Sequence, residues 1–167
     1  ADHGGAVKVR LVKGANLAME SVEADLHGWV PAPYGSKADV DASYKAMLES
    51  AMRPEWAAGL RLGLASHNLF DIAWALTFGR DRDVLDRIEF EMLEGMAPAQ
   101  ARSVHAAAGQ LLMYAPVVAD DDFDASIAYL SRRLDENTQP DNFLRSLFTL
   151  TPDSPGFDEE ADRFRTS

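Results

Sequence analysis

Arg132 and Arg133 stand side by side in the stretch Tyr129-Leu-Ser-Arg-Arg-Leu-Asp-Glu-Asn137, and a carboxylate, Glu136, follows within one helical turn. Glu136 lies at i+4 from Arg132 and i+3 from Arg133, so on a helix it can reach either guanidinium. Two guanidinium groups held this way make a fork for a small carboxylate ligand. The plain alternative is a solvated, salt-bridged helix end. A second candidate stretch lies near the start, where Val9-Arg10-Leu-Val-Lys13-Gly14-Ala15 sets two cations at the end of an apolar segment.

These side chains need elements to position them. Apolar segments at about Val7–Val12, Leu60–Ala65, Ile88–Leu93 and Leu111–Ala115 read as strands. Between and after them, helical patterns cover about Leu17–Leu26, Ala38–Met52, Leu69–Phe78, Pro98–Ala107 and Phe123–Glu136. Strand and helix in alternation indicate a parallel sheet. Asn68 suits a helix N-cap, Pro98 a first turn, and Gly28 and Gly79 the ends of helices. Residues 140–148 predict one more short helix. Thr151-Pro-Asp-Ser-Pro-Gly156 reads as a linker, and Asp158–Thr166 as a polar tail or the start of another element. The expected division is therefore a β/α unit over residues 1–148 and a linker or tail over 149–167, leading toward a following domain.

The strands also separate two α/β architectures. Central strands of an open sheet covered on both faces run continuously apolar. Here Val7, Val9 and Leu11 alternate with Lys8 and Arg10; Leu60, Leu62 and Leu64 with Arg61 and Gly63; Ile88, Phe90 and Met92 with Glu89 and Glu91. One apolar face toward helices and one partly polar face toward the interior suit a β/α barrel with its site at the strand ends.

Composition narrows the function. The chain has 167 residues, 47% of them hydrophobic, and a net charge of −11. Such a length and apolar content support a folded core. The charge argues against nucleic acid, whose phosphates demand a basic face. Cysteine is absent, which removes a disulfide framework, a thiolate metal site and a thiol nucleophile, and fits a reducing cytoplasm. No apolar run approaches the roughly 20 residues of a membrane helix. The chain opens on Ala1 and enters a strand almost at once, so it reads as a piece of something longer.

Several segments, taken in order, resemble the motifs of proline dehydrogenase: Arg10-Leu-Val-Lys-Gly-Ala15, Ala65-Ser-His67-Asn68, Ile88-Glu-Phe-Glu-Met-Leu93-Glu-Gly-Met96, Tyr114-Ala-Pro-Val117 and Arg132-Arg133-Leu-Asp-Glu136-Asn137. The pattern is most similar to the dehydrogenase domain of bifunctional proline utilisation A proteins, which also carry a glutamate-semialdehyde dehydrogenase. The resemblance implies α/β architecture: parallel β/α units forming the C-terminal half of a distorted TIM-like barrel, with a closing C-terminal helix. It also implies a flavin-dependent oxidoreductase acting on a CH–NH bond, which oxidises L-proline to 1-pyrroline-5-carboxylate with FAD, the first step of proline catabolism to glutamate.

By this resemblance Arg10 contacts the flavin ring, and Val12, Lys13, Gly14 and Ala15 neighbour the cofactor. Ser36 and Lys37 fall where the family holds the FAD pyrophosphate, and His67 and Asn68 lie in the cofactor region. Leu93, Tyr114 and the position of Asn16 border the substrate, Arg132 and Arg133 grip the proline carboxylate, and Glu136 orients them. The implied partners are the N-terminal half of the barrel, an aldehyde dehydrogenase domain and a membrane quinone as electron acceptor. The expected location is the cytoplasm, with the parent enzyme peripheral at the inner membrane face. No metal is required. The family's first strands supply a lysine, an aspartate and a glutamine that this chain lacks, so these residues alone are expected to be inactive and to retain FAD weakly or not at all.

Departures from the family pattern matter too. Asn16-Leu17 replaces a common Tyr-Trp, Glu91 stands where glutamine is common, and Asp120–Asp122 lengthens the loop before the Arg132 helix. The aspartates read as a helix N-terminus rather than a cation site. His3, His27 and His105 lack partners at metal-ligand spacing, and Trp29, Trp56 and Trp74 read as packing or interface residues rather than stacking platforms. Arg10 and Glu91 would pair inside a barrel on simple charge grounds. The rival readings are a half-barrel that serves as a structural or dimerisation module through its edge strands, and another barrel enzyme acting on a carboxylate or phosphate ester.

Overall fold

Leu62 and Leu64 on one strand, and Ile88, Phe90 and Met92 on the next, are all under 5% exposed, and this buried ridge organises the chain. The structure is a computed structural model and describes residues 4–14, 17–56, 59–139 and 142–167. Ala15 and Asn16, two of the candidate residues, lie outside the described residues, as does His3. The strands are β1 (Val7–Leu11), β2 (Leu60–Ala65), β3 (Ile88–Leu93) and β4 (Leu112–Tyr114), all parallel and in the order β1-β2-β3-β4. The helices are α1 (Leu17–His27), α2 (Lys37–Ala51), α3 (Leu69–Asp81), α4 (Pro98–Ala108), α5 (Phe123–Thr138), α6 (Phe143–Leu147) and α7 (Pro155–Thr166). No described helix is long and apolar enough to cross a membrane.

Parallel strands in sequential order with intervening helices make successive β/α units, the arrangement of part of a TIM-like barrel. Tyr44 and Leu48 of α2, Ile72, Ala75 and Leu76 of α3, and Ala101 and Val104 of α4 join the strand ridge in one hydrophobic cluster. The register aligns Arg10 with Gly63, Gly63 with Glu89, Ala65 with Glu91, and Leu93 with Tyr114. Side chains alternate along a strand, so Lys8, Arg10, Gly63, Glu89, Glu91, Leu93 and Tyr114 share the opposite, inner face.

Three local features differ from the sequence reading. Gly79 does not end α3. The helix continues to Asp81, and a Cβ at Gly79 would lie 2.9 Å from Ile88 Cδ1, so the glycine serves close packing against β3. Val7 and Val9 do not share the burial of Leu11; they stay 63% and 45% exposed on the edge strand β1. Asp120–Asp122 form a 3-10 turn ahead of α5, but Asp122 makes no side-chain capping bond.

Residues 155–166, expected as linker or tail, fold as α7. Ser154 caps it by accepting the Phe157 N–H, and Pro155 occupies the first turn. The helix packs on α2 and α3. Phe70 meets Phe157 and Phe164, and Trp74 meets Phe164, with ring centroids 5.2, 6.0 and 6.1 Å apart. Lys45 Nζ donates to the Phe164 carbonyl at 2.6 Å and lies over the Phe164 ring.

Candidate active site

The inner face of the sheet carries a four-charge cluster. Lys8 of β1 pairs with Glu89, and its Nζ lies 3.0 Å from Glu91 Oε1. Arg10 donates through Nε to Glu91 Oε2. Glu91 is 3% exposed, whereas the Lys8 and Arg10 side chains are half exposed. The hydrogen bond that Lys8 donates to Glu89, and then the attraction of Glu91, hold the Lys8 pKa above its ordinary value against the opposing effect of burial. The simple pairing of Arg10 with Glu91 is thus present, and it leaves part of the Arg10 side chain at the surface.

From Arg10 a line of contacts runs to α5. The Arg10 guanidinium lies 5.5 Å from the Tyr114 ring centroid. Tyr114 meets Tyr129 edge-to-face, with centroids 6.0 Å apart. The Arg133 guanidinium lies 5.2 Å from the Tyr129 centroid, and its Nη2 meets Glu136 Oε1 at 2.9 Å. Two tyrosine rings therefore stand between two guanidinium groups, in contacts that suit cation–π attraction. Glu136 had a choice of two arginines and pairs with Arg133. Arg132 remains exposed and acts on Glu136 electrostatically. Burial raises the Glu136 pKa, and Arg133 and Arg132 only partly offset it. Burial, then Tyr114, raises the Tyr129 pKa.

A second polar cluster forms where β1 and β2 end. Lys13 Nζ lies 2.6 Å from Asp41 Oδ1 and 2.7 Å from Asp71 Oδ2. Asp41 also holds Lys37 at 2.6 Å, and Ser66 Oγ donates to Asp71 at 3.1 Å. Burial alone would lower the Lys13 pKa, but Asp71 and Asp41 outweigh it and hold it raised. Burial would likewise raise Asp41, yet Lys13 and Lys37 keep it lowered. Burial, then Asp71, pushes the neighbouring Tyr44 phenol up. Ser36 caps α2 by accepting the Asp39 N–H, which places Lys37 at the first position of that helix.

His67, next in sequence to Ser66, reaches the substrate candidate Leu93. Its Nε2 accepts the backbone N–H of Leu93 at 3.0 Å. That bond requires the neutral ring with the proton on Nδ1, and burial lowers the His67 pKa accordingly. The buried Nδ1 has no hydrogen-bond partner among the described residues. Asn68 uses its side-chain oxygen to cap α3 through the Phe70 N–H. Val12 and Gly14 lie exposed at the end of β1.

Of the residues named from sequence, the structure brings Arg10, Tyr114, Arg133 and Glu136 into one line of contacts and sets Lys13 and Lys37 on one acid, Asp41, with Ser36 next to Lys37 as the cap of α2. Sequence reasoning did not single out Tyr129, Asp41 or Asp71. Tyr129 had a signal: it precedes Arg133 by four residues, one helical turn. Asp41 and Asp71 lie on separate helices and meet Lys13 only through the fold.

The comparisons bear on this geometry. The profile of the family described as proline dehydrogenase matches residues 1–146. The chain is similar to the structure of proline utilization A (PutA) from Corynebacterium freiburgense, with 44% identity and a TM-score of 0.81, over 99% of this chain and 15% of that one. It is also similar to PutA from Bdellovibrio bacteriovorus inactivated by N-propargylglycine, with 30% identity and a TM-score of 0.81, over 98% of this chain and 16% of that one. This chain therefore spans about a sixth of those proteins' length. A search of the curated proteins found no match. The profile matched over residues 1–146, together with the parallel β/α units, places this chain in the proline dehydrogenase family.

Proposed function

We propose that these residues form the proline-binding and flavin-facing wall of an FAD-dependent enzyme that oxidises L-proline to 1-pyrroline-5-carboxylate. In this reading the chain is part of a longer, bifunctional protein. The observation that carries the reading is the line Arg10–Tyr114–Tyr129–Arg133–Glu136, which sets a cation at each end of an aromatic wall.

The residues fit FAD in two respects. The Nδ1 proton of His67 is buried and unpartnered among the described residues, so it is available to an acceptor on a ligand. Lys37 lies at the N-terminus of α2, where helix amides and a cation favour phosphate. In this reading Arg10, Lys13, Gly14, Ser36, Lys37, His67 and Asn68, together with Val12 and the undescribed Ala15, hold the FAD. When bound, FAD would supply the acceptor for the hydride leaving the proline ring carbon beside nitrogen.

The chain's own residues bind and orient. Arg133, braced by Glu136 and Tyr129, takes the proline carboxylate, and the exposed Arg132 adds a second guanidinium from the next helix position. Leu93 and Tyr114 border the ring, with the undescribed Asn16 assigned the same role. Fixing the carboxylate holds the reacting carbon in place, which converts binding energy into alignment. Arg10 presents positive charge where negative charge builds on reduction.

The edges β1 and β4 are where further strands would close a barrel. The 167 residues alone should therefore be inactive and bind FAD weakly. The test is flavin absorption and proline oxidation measured on these residues alone and within the full-length protein. Activity confined to the full-length protein supports the reading. Proline oxidation by the 167 residues alone, or no flavin in the full-length protein, would overturn it.

A further inference from the structure

Glu91 is an acid for which the proposed reaction has no chemical use. It is 3% exposed, and its carboxylate crosses β2 at Gly63. A Cβ at residue 63 would lie 3.0 Å from Glu91 Cδ and 3.1 Å from Lys8 Cε, so any larger residue would push the carboxylate aside. Through this gap the carboxylate meets Lys8 on one oxygen and Arg10 Nε on the other. Arg10 is thereby held twice, by Nε on Glu91 and by its guanidinium against Tyr114. Among the described residues its terminal amino groups make no hydrogen bond, and the side chain is 46% exposed.

The charges also balance. Lys8 and Arg10 supply two positive charges, and Glu89 and Glu91 two negative ones. A buried carboxylate is tolerated only when paired, and this one has two cations. At such short range each member acts strongly on whatever charge develops nearby.

We propose that Glu91 is a positioning residue: it holds Arg10 by Nε, leaves the terminal amino groups for the bound flavin, and offsets the positive charge presented there. Lys8 is its counterweight. The inference rests on the flavin role of Arg10 given above. It makes two oppositely signed demands. Removing the Glu91 charge must favour flavin reduction, and removing the Lys8 charge must oppose it. A disturbance of packing would have no reason to reverse sign between the two.

The experiment is a spectroelectrochemical titration of the flavin in the full-length, FAD-loaded protein. Glu91→Gln should raise the equilibrium constant for two-electron reduction about tenfold, about 30 mV in potential, and Lys8→Met should lower it by a similar factor. Gly63→Ala keeps the charge but displaces the carboxylate, and should shift the potential in the direction of Glu91→Gln. If Glu91→Gln does not fold, Lys8→Met and Gly63→Ala carry the test. Potentials within twofold of wild type in that equilibrium constant, or shifts of one sign in Glu91→Gln and Lys8→Met, would overturn the role of Glu91 and leave the flavin reading standing. A wild-type full-length protein without flavin would overturn both.

Discussion

His67 at the end of β2 accepts the backbone N–H of Leu93 at the end of β3, at 3.0 Å, and so ties two strand termini through one neutral imidazole. Burial holds the His67 pKa below 6.5. The unfolded state then binds the proton more readily than the folded one. The stabilisation is complete above pH 6.5 and is lost as pH falls through the folded pKa. Urea unfolding across this range should show stability declining on the acid side. His67→Gln should flatten that decline, and an unchanged slope would count against it.

Arg133 and Glu136 form a partly buried pair at 2.9 Å, beside the Tyr129 ring. Removing a charged hydrogen-bond partner costs about 1.5–3 kcal/mol. Glu136→Ala in the full-length enzyme should therefore lower kcat/KM for proline by roughly ten- to hundredfold, as about 1.4 kcal/mol corresponds to tenfold. The loss should fall mainly on KM, because in the proposed reading the pair orients the group that binds the proline carboxylate. Steady-state kinetics on Arg133→Met and Glu136→Ala check this, and a loss confined to kcat would argue against a carboxylate clamp.

Asp71 is 2% exposed and shares Lys13 with Asp41. Asp71→Ala leaves a largely buried ammonium with one acid instead of two. The expected cost is about 3 kcal/mol, the lower end for breaking a buried ion pair, read by chemical denaturation. The sign for Asp41 is separate: its lowered pKa gives stability that is complete above 3.8 and is lost as pH falls through the folded value.

Phe164 of α7 packs on Phe70 and Trp74 while its carbonyl takes Lys45. Phe164→Ala should destabilise the protein by about 2 kcal/mol, since the ring is only partly buried. A loss below about 0.5 kcal/mol, within the range of neutral surface substitutions, would mean that α7 contributes little to the fold.

What the sequence made legible follows from periodicity. Lys8 with Arg10, and Glu89 with Glu91, are two apart, so a strand must put each pair on one face. Arg133 and Glu136 are three apart on a helix, and they meet. Charge alone suggested that Arg10 and Glu91 pair, but the register that carries Glu91 across Gly63 to reach Arg10 was not legible. Nor were the Lys13 partners, which come from α2 and α3. The sequence reading left Asp158–Thr166 open as a polar tail or the start of another element, although Phe157, Ala161 and Phe164 recur at i, i+4 and i+7. Ser154-Pro155 marks its start.

The central claim is that this wall faces a flavin and a proline in the full-length protein. The most direct measurement is the visible spectrum of that purified protein under anaerobic conditions, before and after adding L-proline. The account predicts a yellow protein whose flavin absorption bleaches on addition of proline, with bleaching at least tenfold slower in Arg133→Met at the same subsaturating proline concentration, the lower bound for losing a charged contact. A colourless protein, or flavin absorption that L-proline leaves unchanged, would contradict it.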